Sequence, residues 1–224
     1  MGARAFDNRV CVVTGASRGI GKACAELLAA EGARLAVCAR RALPELPAPH
    51  YSALCDVSDA GQVAAFFAAV RERLGVPEVV VLNAGVLERG AVSALTEAQW
   101  DRVIDTNLKS AFLCARAVWE GMRERGSGRL IAVGSISGTL GTAEASAYNA
   151  SKWGLTGFMK SLAEEGRQAG IFCATVLPGS VDTDMLKETP FAPQMQPADV
   201  ARVVRFLAAE APFAMTGSAV EVFG

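Results

Sequence analysis

Val10-Cys11-Val12-Val13-Thr14-Gly15-Ala16-Ser17-Arg18-Gly19-Ile20-Gly21 is the stretch from which the rest of the chain can be read. Its first four residues are a continuous apolar run rich in β-branched side chains. A strand buried on both faces of a parallel sheet has that composition. Three glycines follow, spaced G-x-x-x-G-x-G rather than the commoner G-x-G-x-x-G, and a helical pattern then runs from Lys22 to about Glu31 through Ala25, Leu27 and Leu28. Three glycines alone make no more than a tight turn. Between a strand and a helix they make a phosphate cradle: the backbone can pass close to a pyrophosphate, and the helix N-terminus presents free N–H groups and a partial positive charge.

The next apolar run, Arg34 to Ala39, reads as a second strand. A site for an unphosphorylated dinucleotide usually places an acid near this strand end, to hold the ribose 2′-hydroxyl. Here the residues are Ala39-Arg40-Arg41, and Arg18 lies inside the glycine loop. Guanidinium groups suit bidentate phosphate contacts. The pattern therefore predicts NADP, with NADPH preferred over NADH, and the bland alternative is three solvated arginines.

Outward from this unit the chain keeps alternating. Pro44, Pro47 and Pro49 argue against a full helix in the second crossover, and the lone His50 reads as a polar loop residue. Tyr51 to Leu54 reads as a third strand, ending at Cys55-Asp56-Val57, with Ser58 as the expected cap of the helix after it. Val79 to Leu82 is a fourth strand running into Asn83-Ala84-Gly85, small residues suited to a ligand at the sheet's switch point. Thr96-x-x-Gln99 resembles a capping box and opens a long helical region that contains Asn107 amid apolar neighbours. That amide either caps a kink or is positioned for function. Arg129 to Val133, Ile171 to Leu177 and Ser218 to Phe223 complete the strands, and Ala198 to Ala209 reads as a last helix.

Composition bounds the function. The 224 residues are 51% hydrophobic and 20% charged, enough for a substantial core and outside the disordered range. A formal net charge of -1 supplies no basic excess for nucleic acid or an anionic membrane. No uncharged run is long enough to span a bilayer, and the opening residues lack a basic-then-apolar pattern, so no leader is expected. Six cysteines show neither C-x-x-C nor zinc-like spacing, so no metal is expected and a reducing cytoplasm is the default compartment. Without a repeat or linker, residues 1–224 read as a single domain.

One further stretch carries chemistry: Ser146-Ala147-Tyr148-Asn149-Ala150-Ser151-Lys152, leading into a helical run of Leu155, Phe158, Met159 and Leu162. If the helix begins near Tyr148, Tyr148 and Lys152 share a face at i and i+4. Free tyrosine has a pKa of about 10, and a neighbouring ammonium lowers it. Taken alone, such a pair is far more often just two surface residues.

Together these pieces resemble the short-chain dehydrogenase/reductase family, especially its ketoacyl-reductase-like branch. The resemblance covers nearly the whole chain and rests on Thr14-Gly15…Gly19-x-Gly21, Asp56-Val57, Asn83-Ala84-Gly85, Asn107, Ser135, Tyr148…Lys152, Pro178-Gly179 and Thr183, in the family's order. It implies one Rossmann-type doubly wound α/β domain, a mostly parallel sheet of about seven strands with helices on both faces. It implies an NADP(H)-dependent oxidoreductase that converts a ketone or 3-oxoacyl-type carbonyl to an alcohol, or the reverse. Tyr148 would be the acid/base, Lys152 would lower its pKa and hold the nicotinamide ribose, Ser135 would bond the reacting oxygen, and Asn107 would help a water chain feed protons to Lys152. Gly15, Ser17, Arg18, Gly19, Ile20, Gly21, Arg40, Asp56, Val57, Asn83, Ala84, Gly85, Pro178, Gly179 and Thr183 would hold the cofactor, together with Tyr148 and Lys152.

Three departures from the pattern stand out: the shortened, proline-rich second crossover, a short loop at about residues 180–196 where a substrate lid is expected, and an end reading Val222-Phe223-Gly224. Met185, Leu186, Phe191 and Met195 in that loop either line an apolar pocket or pack on the core. Apolar residues on more than one face of Phe112 to Trp119 and Trp153 to Leu162 predict a homo-oligomer, a tetramer or failing that a dimer. The expected partners are a small-molecule carbonyl or alcohol, with no nucleic acid and no membrane. A reading from another class, a dinucleotide-binding sensor or scaffold without turnover, is opposed by the intact Ser135, Tyr148 and Lys152.

Overall fold

The computed structural model describes residues 4–41, 43 and 51–224. The proline-rich stretch and His50 lie outside the described residues.

Seven strands form one parallel sheet: β1 (Val10–Thr14), β2 (Arg34–Ala39), β3 (Tyr51–Leu54), β4 (Val79–Leu82), β5 (Gly128–Val133), β6 (Ile171–Pro178) and β7 (Ala219–Val222). They are ordered β3-β2-β1-β4-β5-β6-β7, and every neighbouring pair is parallel. Parallel strands need crossovers, and the helices in those crossovers cover both faces. This is why β1, β4 and β6 are buried along their whole length and are almost wholly apolar, with only Thr14 and Thr175 polar among them.

One face packs α2 (Ala60–Leu74), α4 (Ser110–Arg125) and α5 (Ser146–Gly166) through Val63, Phe66, Val118, Met122, Leu155 and Met159. The other packs α1 (Gly19–Ala30) and α6 (Pro197–Ala209) through Cys24, Leu28, Val200, Val204 and Leu207. Each large side chain so buried is worth about 1.5–3 kcal/mol relative to exposure. The strand order reverses between β1 and β4, and the loops after β1, β4, β5 and β6 converge on one rim of the sheet.

Besides one-residue shifts at the ends of β5, β6, β7 and the last helix, the structure differs from expectation at four places. Helix α1 starts at Gly19, not Lys22, because the last two glycines of the loop already lie in its first turn. Asp59, not Ser58, caps α2: its extended backbone directly precedes the helix, and its carboxylate accepts from Gln62 N at 2.9 Å. The Ser58 hydroxyl instead donates to Asp56 at 2.7 Å. The capping box at Thr96 and Gln99 is present, but the helical region it opens is broken. After α3 (Glu97–Ile104) comes a wide π turn, Asp105–Lys109, which holds Asn107, and only then α4. Helix α5 starts two residues ahead of Tyr148, which keeps Tyr148 and Lys152 on one face.

Candidate active site

The rim is built from backbone outward. Gly15 has φ +67°, and a Cβ there would lie 2.8 Å from Ala84 Cα, so only glycine lets the first loop settle against the end of β4. The settled loop is held by Asn83, whose Nδ2 donates to Thr14 O at 3.0 Å and Gly15 O at 3.1 Å. At the entrance to α1, Arg18 makes no side-chain cap and the first turn carries no acid. The first N–H groups of that helix are therefore left to an anion.

Three adjoining cavities follow from this arrangement. One of about 360 Å³ is lined by Gly15, Ser17, Arg18, Arg40, Val57 and Asn83 to Gly85. A second, about 560 Å³, runs past Arg18, Gly19, Ile20, Asn83 and Gly85 to Tyr148, Lys152 and Thr183. The third, about 310 Å³, opens on Ser135 and Tyr148 and includes Pro178, Gly179 and Thr183. Tyr148 belongs to both the second and the third, at the junction between them. Met185, Leu186 and Phe191 line the third cavity, whereas Met195 is buried in the core, so the loop's apolar residues divide between the two expected roles.

Lys152 is 4% exposed, and its Nζ donates to Val133 O at 3.0 Å. Burial pulls its pKa down to about 8. The ammonium also lies 5.6 Å from the centre of the Tyr148 ring. For the phenol the expected direction is reversed. Burial raises the Tyr148 pKa above its ordinary value, and a hydrogen bond with Ser135 pulls the other way without overcoming it. The physical reason is that desolvation penalises the phenolate, while the Lys152 cation is directed at a backbone carbonyl. Ser135 itself accepts from Ser137 N at 3.1 Å, so its own O–H is the donor that meets the Tyr148 oxygen in the cavity.

Asn107 sits one layer back, 2% exposed. Its Oδ1 accepts from Val86 N at 2.8 Å, and its Nδ2 donates to Val86 O at 2.9 Å and Ser151 Oγ at 3.0 Å. A Cβ on Gly85 would lie 3.4 Å from Asn107 Oδ1 and 3.8 Å from Lys152 Nζ. The amide thus fixes the loop after β4 beside the lysine. Asp56 stands apart from the lining: its carboxylate bonds Ser58, and its neighbours Cys55 and Val57 reach the cavity instead. Gly21 serves packing, since a Cβ there would fall 2.3 Å from Asn83 Nδ2 and from Gly15 O. Arg102 and Thr106 near the first cavity, and Leu87, Arg89 and Leu140 at the third, escaped sequence reasoning. They come from helix faces and loops with no local pattern.

The family profile described as short chain dehydrogenase matches residues 9–193. This chain belongs to the short-chain dehydrogenase/reductase family. It is 34% identical to the 3-oxoacyl-acyl-carrier-protein reductase FabG of Vibrio cholerae, over 98% of this chain and 97% of that one. It is 37% identical to the reductase MabA of Mycobacterium bovis, of the same description, over 98% and 93%. Among solved structures, levodione reductase superposes with a TM-score of 0.89 at 28% identity, covering 97% of this chain and 96% of that one.

As a short-chain dehydrogenase/reductase the chain is an oxidoreductase of a family that binds nicotinamide cofactors. The residues present fit such a group: a glycine cradle closed to any Cβ, an uncapped helix N-terminus, and a continuous cavity from the arginines to Lys152. Among the described residues no cluster of three His, Cys, Asp or Glu is placed to hold a metal ion. No described helix is long and apolar enough to cross a membrane.

Proposed function

We propose that this enzyme reduces a ketone or 3-oxoacyl-type carbonyl to an alcohol with NADPH, and runs the reverse oxidation with NADP. The observation that carries the reading is the junction at Tyr148: its hydroxyl meets Ser135 in the substrate cavity while the ring borders the cavity that leads to the cofactor cradle. The names of the FabG and MabA relatives support the substrate class.

A bound nicotinamide would supply the hydride to the carbonyl carbon. Ser135 donates a hydrogen bond to the carbonyl oxygen, where negative charge builds as the carbon is reduced. Tyr148 delivers its proton to that same oxygen, so the alcohol leaves neutral. A phenol whose pKa is raised by burial stays protonated at neutral pH, which is the state the reduction needs. Lys152, at the border of the same cavity as Gly85 and Asn83, would hold the nicotinamide ribose. Asn107 positions the loop that faces it.

The preference for the phosphorylated cofactor rests on Arg18 and Arg40, both exposed at the first cavity, with Ala39 where an acid would hold an unphosphorylated ribose. Arg41 adds positive charge around it, whereas Arg102 is paired with Glu88 at 2.6 Å. Six free cysteines, all buried, suit a reducing compartment, and the reading places the enzyme in the cytoplasm. The test is turnover against a panel of ketones and 3-oxoacyl thioesters with NADPH and NADH in parallel. Cofactor binding without oxidation of either by any carbonyl would leave a sensor or scaffold. Equal affinity for both would remove the preference.

A further inference from the structure

The substrate cavity is largely apolar, walled by Leu87, Ile136, Leu140, Met185, Leu186 and Phe191, and it holds one charged side chain. Among the described residues lining it, that residue is Arg89, on the loop after β4. Its side chain is 22% exposed. A guanidinium at the wall of an apolar cavity is a natural partner for an anion. The one Arg89 has is poorly made: Nη2 reaches Glu144 Oε2 at 3.4 Å and Ala143 O at 3.4 Å. Both contacts run through a single nitrogen. Nε and Nη1 have no partner among the described residues, and each bidentate edge of the fork, Nε/Nη2 or Nη1/Nη2, shares only the weakly engaged Nη2.

Glu144 is an uneasy partner. Its side chain is 61% exposed, and its backbone has φ +60°, a left-handed conformation that a non-glycine residue adopts at a cost. The segment is pinned there by Gly90 N, which donates to Glu144 O at 2.9 Å. The backbone bond thus keeps the loop closed whichever way the glutamate side chain turns. Arg89 can exchange Glu144 for another carboxylate without opening the cavity.

We infer that Arg89 reads a carboxylate on the substrate, which makes the preferred substrates oxo acids: a ketone and a carboxylate joined by a short apolar chain. The ketone lies at Ser135 and Tyr148, the chain against the leucine and methionine wall, and the carboxylate displaces Glu144 to take the Nη1/Nη2 edge of the guanidinium as a bidentate pair. The inference rests on the carbonyl-reducing function proposed above and narrows it.

The experiment pairs methyl-keto acids of increasing chain length with their primary amides, as substrates for the enzyme with its reduced cofactor. At the best length kcat/KM should favour the acid over the amide by roughly 10- to 100-fold, the worth of a hydrogen bond to a charged group. Arg89→Met should collapse that ratio toward unity through KM. Glu144→Gln removes the competing carboxylate and should raise it. If Arg89 and Glu144 only clamp two loops, both variants change acid and amide alike and the inference falls. It falls equally if Arg89→Met affects only a coenzyme A thioester, whose anionic groups are phosphates. A titration with hexanoate and hexanamide, followed by ligand-observed NMR, separates this from the parent reading. Hexanoate binding lost in Arg89→Met, without turnover of any ketone, would sustain the site and overturn the reductase. Ketone turnover with no preference for hexanoate or for the acids would do the opposite.

Discussion

Arg18 of the glycine-rich loop and Asp184 of the 180–196 loop form an ion pair at 3.0 Å, across 166 residues of sequence. Arg18 borders the cavities on both sides of the loop, and Asp184 is also held by Lys187 at 3.0 Å. The arginine expected to meet a 2′-phosphate thus has a rival partner. Both side chains are well exposed, so the pair is weak and salt-screened. Asp184→Asn should raise NADPH affinity by about two- to fivefold at low salt and leave NADH nearly unmoved. Arg18→Ala and Arg40→Ala should each weaken NADPH by roughly 10- to 150-fold, the worth of one charged hydrogen bond. Fluorescence titration with both cofactors reads all three variants.

Tyr148→Phe keeps the ring packed against Val86, Val103 and Ala147 and removes the hydroxyl. Turnover should fall by about 10²–10⁴-fold while the cofactor still binds. Near-wild-type turnover would end the mechanism.

The protein has two tyrosines, Tyr51 and Tyr148, so the phenol can be followed directly. In the cofactor-free protein, tyrosinate absorbance present in the wild type and missing from Tyr148→Phe should appear only above the ordinary pKa of about 10. The step should move down in Ser135-intact, cofactor-loaded protein only if the nicotinamide site alters the balance of burial and charge. A step well below 10 without cofactor would mean that Lys152 outweighs desolvation.

Lys152 links the site to stability. Its folded pKa is about 8 against an ordinary 10.5, so between those values the unfolded chain binds the extra proton. Stability should therefore rise with pH through that window, by about 3 kcal/mol in full, at 1.36 kcal/mol per unit. Above pH 9 buried Cys11, Cys24 and Cys173, raised to about 12, pull the other way. The clean measurement is the denaturation difference between wild type and Lys152→Met from pH 7 to 9, which should grow in favour of the wild type.

Helices α4 and α5 leave Phe112 43% and Trp153 54% exposed, beside Leu140 at 53%. A helix that already buries one stripe against a sheet has no need of a second unless a partner covers it. Sedimentation should show a dimer or tetramer, and Trp153→Glu should shift it toward monomer. A monomeric wild type at micromolar concentration would remove the assembly from the proposal.

The inner strands were legible because of where they lie. A strand buried on both faces of a parallel sheet has to be continuously apolar, and β2 and β4 begin and end at the residues the pattern marks, as does the half-exposed edge strand β3. The glycine loop was legible because positive φ and backbone contact admit little else, as at Gly15. The spacing of Tyr148 and Lys152 was legible because a helix makes i and i+4 neighbours whatever surrounds it.

What surrounds them was decided only by the fold. The order β3-β2-β1-β4-β5-β6-β7 brings the loops after β1, β4, β5 and β6 to one rim, and no local pattern encodes that order. From it come the pairing of Arg18 with Asp184, the placing of Arg89 in the substrate cavity, and the anchoring of Val86 by Asn107. The direction of the Tyr148 shift belongs here too. Sequence shows that a cation stands one helical turn away, but desolvation is a property of everything packed around the phenol, and that exists only once the chain has folded.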